Sequence, residues 1–174
     1  MNKQSKSIPF TRKSFLRLLA LTLMASFFIL PVKINAQGTK ANFSGTWTLN
    51  ESKSTMPQGG GGGQRMGGRE FTITQDANLL TQTRTGQDGT ARATKYTLDG
   101  KESVNSFGEF QNKSTAKWSA DGKSLTITTK SNYNGTERTS TSVWSLTDAK
   151  TLSIVSTWQG QNGEVKTTMV YDKK

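Results

Sequence analysis

The stretch WSADGKSLTI, residues 118–127, contains the pattern that decides the fold of this chain. Polar and apolar residues alternate on both sides of an Asp-Gly pair, which is typical of two antiparallel strands joined by a tight hairpin turn. A similar stretch, WSLTDAKTLSI, follows at 144–154 with one inserted residue. The similarity reflects either an internal repeat or convergence on the same hairpin chemistry, and both explanations predict consecutive β-hairpins.

The same two-residue period continues along the chain from residue 43 onward. No segment of this region shows the apolar periodicity of an amphipathic helix. Threonine, which suits the half-buried surface of a sheet, accounts for 24 of the 138 residues after position 36. Turn residues divide this region into ten predicted strands. They are placed at 43–50, 69–76, 79–86, 90–98, 101–107, 113–120, 123–131, 136–147, 150–158 and 163–172.

Ten consecutive antiparallel strands would leave two exposed sheet edges, and closure into an up-and-down barrel removes both. We therefore predict an all-β fold, a closed up-and-down antiparallel barrel of 8 to 10 strands. If the first strand runs upward, the longer connections fall at the top of the barrel. Tight turns, such as LDGK at 98–101 and ADGK at 120–123, then fall at the bottom. This distribution predicts a cup with an open mouth.

A glycine-rich segment, MPQGGGGGQRMGGRE at 56–70, separates the first two predicted strands. Glycine has no Cβ and gives the backbone access to conformations that other residues avoid. Because this connection lies at the top in the ten-strand arrangement, residues 56–68 are predicted to form a flexible flap over the mouth.

The first predicted strand, FSGTWTLN at 43–50, resembles the Gly-x-Trp start of the lipocalin and wider calycin families through Gly45, Thr46 and Trp47. The resemblance implies a lipocalin-like barrel, a large lid after the first strand and an interior that binds small, mainly apolar molecules. The chain departs from classical lipocalins because it lacks a Thr-Asp-Tyr motif, an arginine near the end of the penultimate strand and a C-terminal helix. It is more similar to small exported bacterial proteins of the lipocalin-like type.

The N-terminal segment resembles a secretory signal. Basic residues precede an apolar run at 18–30, which is short for a membrane span, and the small-residue pattern INA follows at 34–36. We predict a signal peptide at 1–36, a short N-terminal segment at 37–42 and a lipocalin-like barrel at 43–174. The alternative is an uncleaved membrane anchor. The protein is predicted to be exported, periplasmic or secreted, with no stable membrane span after cleavage.

Composition excludes several kinds of chemistry. The chain contains neither cysteine nor histidine, so disulfides, thiolate or histidine metal sites and histidine-based catalysis are absent. Six of the 23 basic residues lie in the predicted signal, so the remaining chain has 17 basic and 12 acidic residues, a net charge of +5. This excess is not concentrated in a basic run, and we predict no nucleic-acid partner. No cofactor, metal site or catalytic residue is predicted, and the protein is expected not to be an enzyme.

Alternation assigns one apolar face to the predicted barrel interior. Its members are Phe43, Trp47, Leu49, Phe71, Ile73, Leu79, Tyr96, Leu98, Trp118, Leu125, Ile127, Trp144, Leu146, Leu152, Ile154, Trp158, Val165, Met169 and Tyr171. Ten strands favour a barrel wide enough to hold a cavity. The tryptophans have two possible roles, to fill the core or to line that cavity.

Five residues form the predicted ligand site: Arg92, Tyr96, Arg138, Trp144 and Trp158. Strand parity turns both arginines inward near the mouth, where guanidinium donors suit a carboxylate or phosphate head while an apolar tail enters the barrel. The predicted function is binding of a small amphipathic or hydrophobic ligand in the barrel. The alternative is a structural or interaction module of the cell envelope with a filled barrel and no ligand.

Overall fold

The computed structural model describes most of the chain beyond the predicted signal. The described residues are 39–55, 69–86, 88–108, 110–133 and 135–174. They belong to one compact unit, Gln37–Lys174. The predicted signal at 1–36 and the predicted flap at 56–68 lie outside the described residues and stay predictions. Among the described residues, no helix is long and apolar enough to cross a membrane.

Ten antiparallel strands make up almost all of the described structure, as the two-residue period predicts. The strands are β1 (Gly45–Leu49), β2 (Glu70–Gln75), β3 (Leu79–Thr85), β4 (Ala91–Thr97), β5 (Glu102–Phe107), β6 (Phe110–Trp118), β7 (Ser124–Tyr133), β8 (Thr136–Asp148), β9 (Thr151–Gly160) and β10 (Gly163–Lys173). One 3-10 turn, Glu51–Lys53, follows β1. Every predicted strand is present, and its ends lie within three residues of the predicted ends.

The strands form one sheet in which consecutive strands are hydrogen-bonded to each other, except for β4 and β5. Strands β1 and β10 pair with each other, so the spatial order is β4-β3-β2-β1-β10-β9-β8-β7-β6-β5. This is a nearly closed up-and-down barrel with a lipocalin-like, calycin-type fold, and the prediction of an all-β barrel is confirmed. Strands β4 and β5 lie at the two ends of the order and meet along a seam.

Side chains from β5 close this seam in place of a backbone ladder. The Asn105 carboxamide accepts a hydrogen bond from the Lys95 backbone N–H at 2.8 Å and donates one to the Lys95 carbonyl at 2.9 Å. The Ser103 hydroxyl accepts from the Thr97 backbone N–H at 2.8 Å. Both β5 side chains are buried. They therefore satisfy backbone groups of β4 that would otherwise be left as an open sheet edge.

The tight turns owe their shape to aspartate and glycine. Asp99 and Asp121 each accept a hydrogen bond at 3.0 Å from the backbone N–H two residues later. Gly100 and Gly122 follow them with φ of 81° and 70°, where a Cβ would be strained. Backbone donation from Lys101 lowers the pKa of the Asp99 carboxyl below its ordinary value. These exposed carboxylates are thus explained as turn residues.

The Gly-x-Trp pair on β1 organises one end of the barrel. Trp47 is fully buried, and its indole Nε1 donates to the Phe43 carbonyl at 2.8 Å. The Lys173 ammonium lies 5.4 Å from the Trp47 ring centroid, a cation–π contact. Gly45 has a φ of 140°, and a Cβ at this position would clash with the Lys173 side chain. Gly45 therefore leaves the space through which Lys173 reaches Trp47.

Most of the predicted interior face packs into one core. Twelve predicted members are buried: Phe43, Trp47, Phe71, Ile73, Leu98, Leu125, Ile127, Trp144, Leu152, Ile154, Met169 and Tyr171. Another four are partly buried against that core: Leu49, Tyr96, Trp118 and Leu146. Trp158 and Val165 are half-buried at the far ends of β9 and β10.

The predicted parity of β3 is wrong. Leu79 was assigned to the interior, but Leu80 is the fully buried residue, and Leu79 is half-buried on the opposite face. The turn explains the difference, because Asp76 and Leu79 close it through the Asp76 N–H to the Leu79 carbonyl, at 2.9 Å. This register places Leu80 opposite Gln75. A shift of one residue sends every side chain of β3 to the other face, including Gln82 and Arg84.

Candidate functional site

The barrel interior changes from apolar to polar along the strands. On β8, for example, the inward series runs from Trp144 through Ser142 and Ser140 to Arg138, toward the end of the barrel with the longer connections. The polar part, here called the upper chamber, comprises fourteen described side chains. They are Gln82, Arg84, Arg92, Thr94, Asn105, Asn112, Ser114, Thr129, Ser131, Arg138, Ser140, Ser142, Ser156 and Thr167.

The upper chamber is open, whereas the interior below it is packed. Ser140 faces inward yet is exposed, and Ser142 and Ser156 are half-buried. Below them, the Tyr96 and Trp144 rings meet edge to face across the barrel, with centroids 6.1 Å apart. The interior below this aromatic contact is filled by side chains, so its accessible part lies above the contact.

The two predicted arginines lie at the mouth of the upper chamber. Arg92, on β4, forms an ion pair with Asp88 in the adjoining turn at 2.9 Å, and both side chains are more than half exposed. Arg138, on β8, lies opposite Ser131 and is exposed. The charge of Arg92 is partly neutralised by its partner, whereas no described carboxylate forms an ion pair with Arg138.

The three predicted aromatic residues separate into two positions. Tyr96 and Trp144 are brought together and form the packed floor of the chamber, where the Trp144 indole N–H donates to the Ser142 hydroxyl at 3.1 Å. Trp158 is half-buried near the mouth, opposite Val165 on β10 and Ser140 on β8. It supplies an apolar wall in a chamber whose other lining is mainly polar.

A third arginine, absent from the prediction, lies directly opposite Arg92 on the neighbouring strand and is more buried than Arg92. Arg84 on β3 is half-buried, and its guanidinium carbon is 4.6 Å from the Phe71 ring centroid. It also lies near the Tyr171 hydroxyl, where its positive charge opposes the rise in the pKa of that hydroxyl. None of the described inward-facing residues is Asp or Glu, so Arg84 has no internal counter-ion within the described barrel. The described inward-facing residues therefore carry a net positive charge.

The pKa values of two tyrosine hydroxyls reflect both burial and the charge of Arg84. Burial raises the pKa of the Tyr96 and Tyr171 hydroxyls above the ordinary value, because the phenolate form would lose its hydration. The nearby positive charge of Arg84 acts in the opposite direction in both cases. Both hydroxyls are therefore neutral hydrogen-bonding groups near neutral pH.

The sequence contained a signal that locates Arg84, although the alternation alone misses it. Residues directly opposite in an antiparallel pair point to the same side of the sheet. With Ile73 and Gln75 inward on β2, a two-residue loop at 77–78 places Leu80 opposite Gln75 and turns the rest of β3 inward. Alternation alone does not determine this register, because Leu79 and Leu80 are both apolar and either could be the inward-facing residue.

A separate pocket of about 540 Å³ lies at the upper ends of β6, β7 and β8. It is lined by Phe110, Gln111, Lys113, Lys130, Ser131, Asn132 and Glu137. Only Phe110 and Ser131 of this set belong to the inward series, so the pocket lies mainly on the outer rim of the barrel. None of the five predicted site residues lines it.

Comparison with known proteins supports the fold. No family model and no curated protein matches the chain. Among solved structures, it is similar to zebrafish ileal bile acid-binding protein complexed with cholic acid, with a TM-score of 0.56 and 18% identity over 76% of this chain and 98% of the other. It is also similar to a secretory abundant heat soluble protein from Ramazzottius varieornatus, with a TM-score of 0.54 and 10% identity over 80% of this chain and 100% of the other.

These likenesses concern the fold alone, a lipocalin-like β-barrel, which the Gly-x-Trp resemblance implied. The bile acid-binding protein is a binding protein by name, and neither neighbour is described as an enzyme. Among the described residues, no group of three or more acidic residues could hold a metal ion. The described site thus consists of arginines, hydroxyls and amides around an open chamber with an aromatic floor.

Proposed function

We propose that the protein is exported and binds a small amphipathic molecule in the upper chamber of its barrel. The observation that carries the proposal is the charge of that chamber, in which the arginines face inward without an inward carboxylate among the described residues. Arg84 and Arg138 form no ion pair with a described carboxylate, and guanidinium groups beside an aromatic floor suit a ligand that has an anionic or polar head and an apolar part. The similarity to a bile acid-binding barrel agrees with this class of ligand.

The second candidate is a structural or interaction module of the cell envelope. It is favoured by the packed lower interior, where the contact between Tyr96 and Trp144 spans the barrel. The two candidates differ in one measurable respect, because only the first requires saturable binding of an amphiphile.

The mouth arginines are tested by calorimetric titration of dodecanoate into the wild type, Arg92→Ala and Arg138→Ala. We expect saturable binding to the wild type and a loss of about two- to fivefold for Arg138→Ala, since exposed charge contacts contribute little. Arg92→Ala should lose less, because Asp88 already pairs with this arginine. The matched control is Lys117→Ala, an exposed residue on the outer face of β6. Equal affinity in all four proteins would rule out the cationic mouth, and absence of saturable binding would favour the structural module.

Export is tested by the N-terminus of the processed protein. The positively charged start, the short apolar run and the INA pattern predict that the mature chain begins at Gln37. N-terminal sequencing of protein recovered outside the cytoplasm should return this residue. Ala36→Asp should slow processing, because the residue before the cut must be small and uncharged. Recovery of a chain that begins at Met1 would contradict the proposed cleavage.

A further inference from the structure

Gln82 on β3 is a buried polar side chain whose hydrogen bonding is incomplete. It is only 5% exposed, and its Nε2 has no hydrogen-bond partner among the described residues. It faces the interior, between Ile73 on β2 and Thr94 on β4. A buried donor without an acceptor is costly and rare in folded proteins, so this amide needs an explanation. A ligand atom that accepts a hydrogen bond would supply the missing partner.

Arg84 lies beside this amide on the same face of β3. Side chains two residues apart on a strand emerge on one side, about 7 Å apart at the backbone. The Arg84 guanidinium is held against the Phe71 ring and lies near the Tyr171 hydroxyl. The ring contact uses one face of the guanidinium and leaves its five N–H donors at the edge of the group. No carboxylate among the described residues forms an ion pair with these donors.

We infer that Gln82 and Arg84 form an internal site for a carboxylate head group, so that the ligand enters the barrel head first. This inference rests on the proposed function and specifies the head group and its orientation. A carboxylate satisfies both residues because it offers only acceptors, can engage a guanidinium through two oxygens and can also accept from the Gln82 amide. A hydroxyl head would leave the Arg84 charge uncompensated.

The packing of the barrel determines the direction of the ligand tail. The interior below Gln82 is occupied on this strand by the fully buried Leu80 and, across the barrel, by the contact between Tyr96 and Trp144. Trp158 and Val165 form a half-buried apolar pair nearer the mouth. The head therefore binds innermost at Gln82 and Arg84, and the tail extends outward past Trp158.

The test compares dodecanoate with dodecanol, which differ at the head group. We expect the wild type to bind the carboxylate at least about tenfold more tightly than the alcohol. Arg84→Met should abolish this preference, since methionine keeps an apolar stem without the charge. Gln82→Glu should also abolish it, because the introduced carboxylate would pair with Arg84 and take the place of the ligand head. Lys117→Met, at an exposed lysine on the outer face of β6, is the matched control, and its preference should equal that of the wild type.

A preference that survives both Arg84→Met and Gln82→Glu, or one that is also lost in Lys117→Met, would overturn the internal site. Butyrate and butanol have the same two head groups as dodecanoate and dodecanol but lack a long tail. They therefore test the internal head-group site independently of the proposed binding of an amphiphile. If dodecanoate does not bind, the proposed function fails. The internal site then stands only if butyrate shifts the NMR resonances of the Gln82 side-chain amide in the wild type and not in Arg84→Met.

The ligand-free protein provides an independent readout. Gln82→Leu replaces the unpartnered amide by an apolar side chain of similar size, so its melting temperature should equal or exceed that of the wild type. A clear fall in the melting temperature would show that the amide already has a partner in the free protein. That result would overturn the inference.

Discussion

Trp47→Ala should lower the free energy of unfolding by about 3–5 kcal/mol, which is the usual range for truncating a buried large aromatic side chain. Trp47 has no exposed surface, and the substitution also removes the hydrogen bond to the Phe43 carbonyl and the surface beneath Lys173. Domains of this kind have a total stability of about 5–15 kcal/mol, so a large fraction would be lost. The midpoint of urea unfolding, followed by tryptophan fluorescence, measures the effect.

Trp158→Ala is the matched control for this prediction. The same substitution at a half-buried tryptophan near the mouth removes less packed surface and should cost clearly less. Equal losses for the two variants would contradict the assignment of Trp47 to the structural core and of Trp158 to the chamber wall.

Asn105→Ala should destabilise the barrel by about 1–3 kcal/mol, because it leaves the N–H and the carbonyl of Lys95 without their partners at the seam. The effect should be local as well as global. Hydrogen exchange of the Lys95 amide should become about tenfold faster or more, since 1.4 kcal/mol corresponds to a factor of ten. Amide exchange measured by NMR across β4 gives this readout directly.

Val104→Ala is the control on the same strand. Val104 is adjacent to Asn105, but it faces outward and is 53% exposed, so truncation should change stability by less than about 0.5 kcal/mol. Unchanged exchange of the Lys95 amide in Asn105→Ala would show that the side chain does not close the seam.

The candidate site was only partly predictable from the sequence. The alternation identified Tyr96 and Trp144 as inward residues, and the structure brings their rings into contact. It did not predict Gln82 and Arg84, because Leu79 and Leu80 are both apolar and the wrong one was assigned to the interior. A shift of one residue in a strand inverts its two faces, so one ambiguous pair was enough to hide two polar residues.

The sequence by itself determined the all-β fold, the ten strands and most of the core. These features depend on local chemistry, namely the period of two along each strand and the Asp-Gly turns that set the hairpins. The side-chain contacts between distant strands could be determined only from the tertiary structure. Asn105 replaces a backbone ladder at the seam, Lys173 covers Trp47, and Arg84 lies against Phe71 near Tyr171. Each of these contacts depends on how the sheet curves and closes, because closure brings together residues that are far apart in the chain. The local alternation of polar and apolar residues does not determine this arrangement.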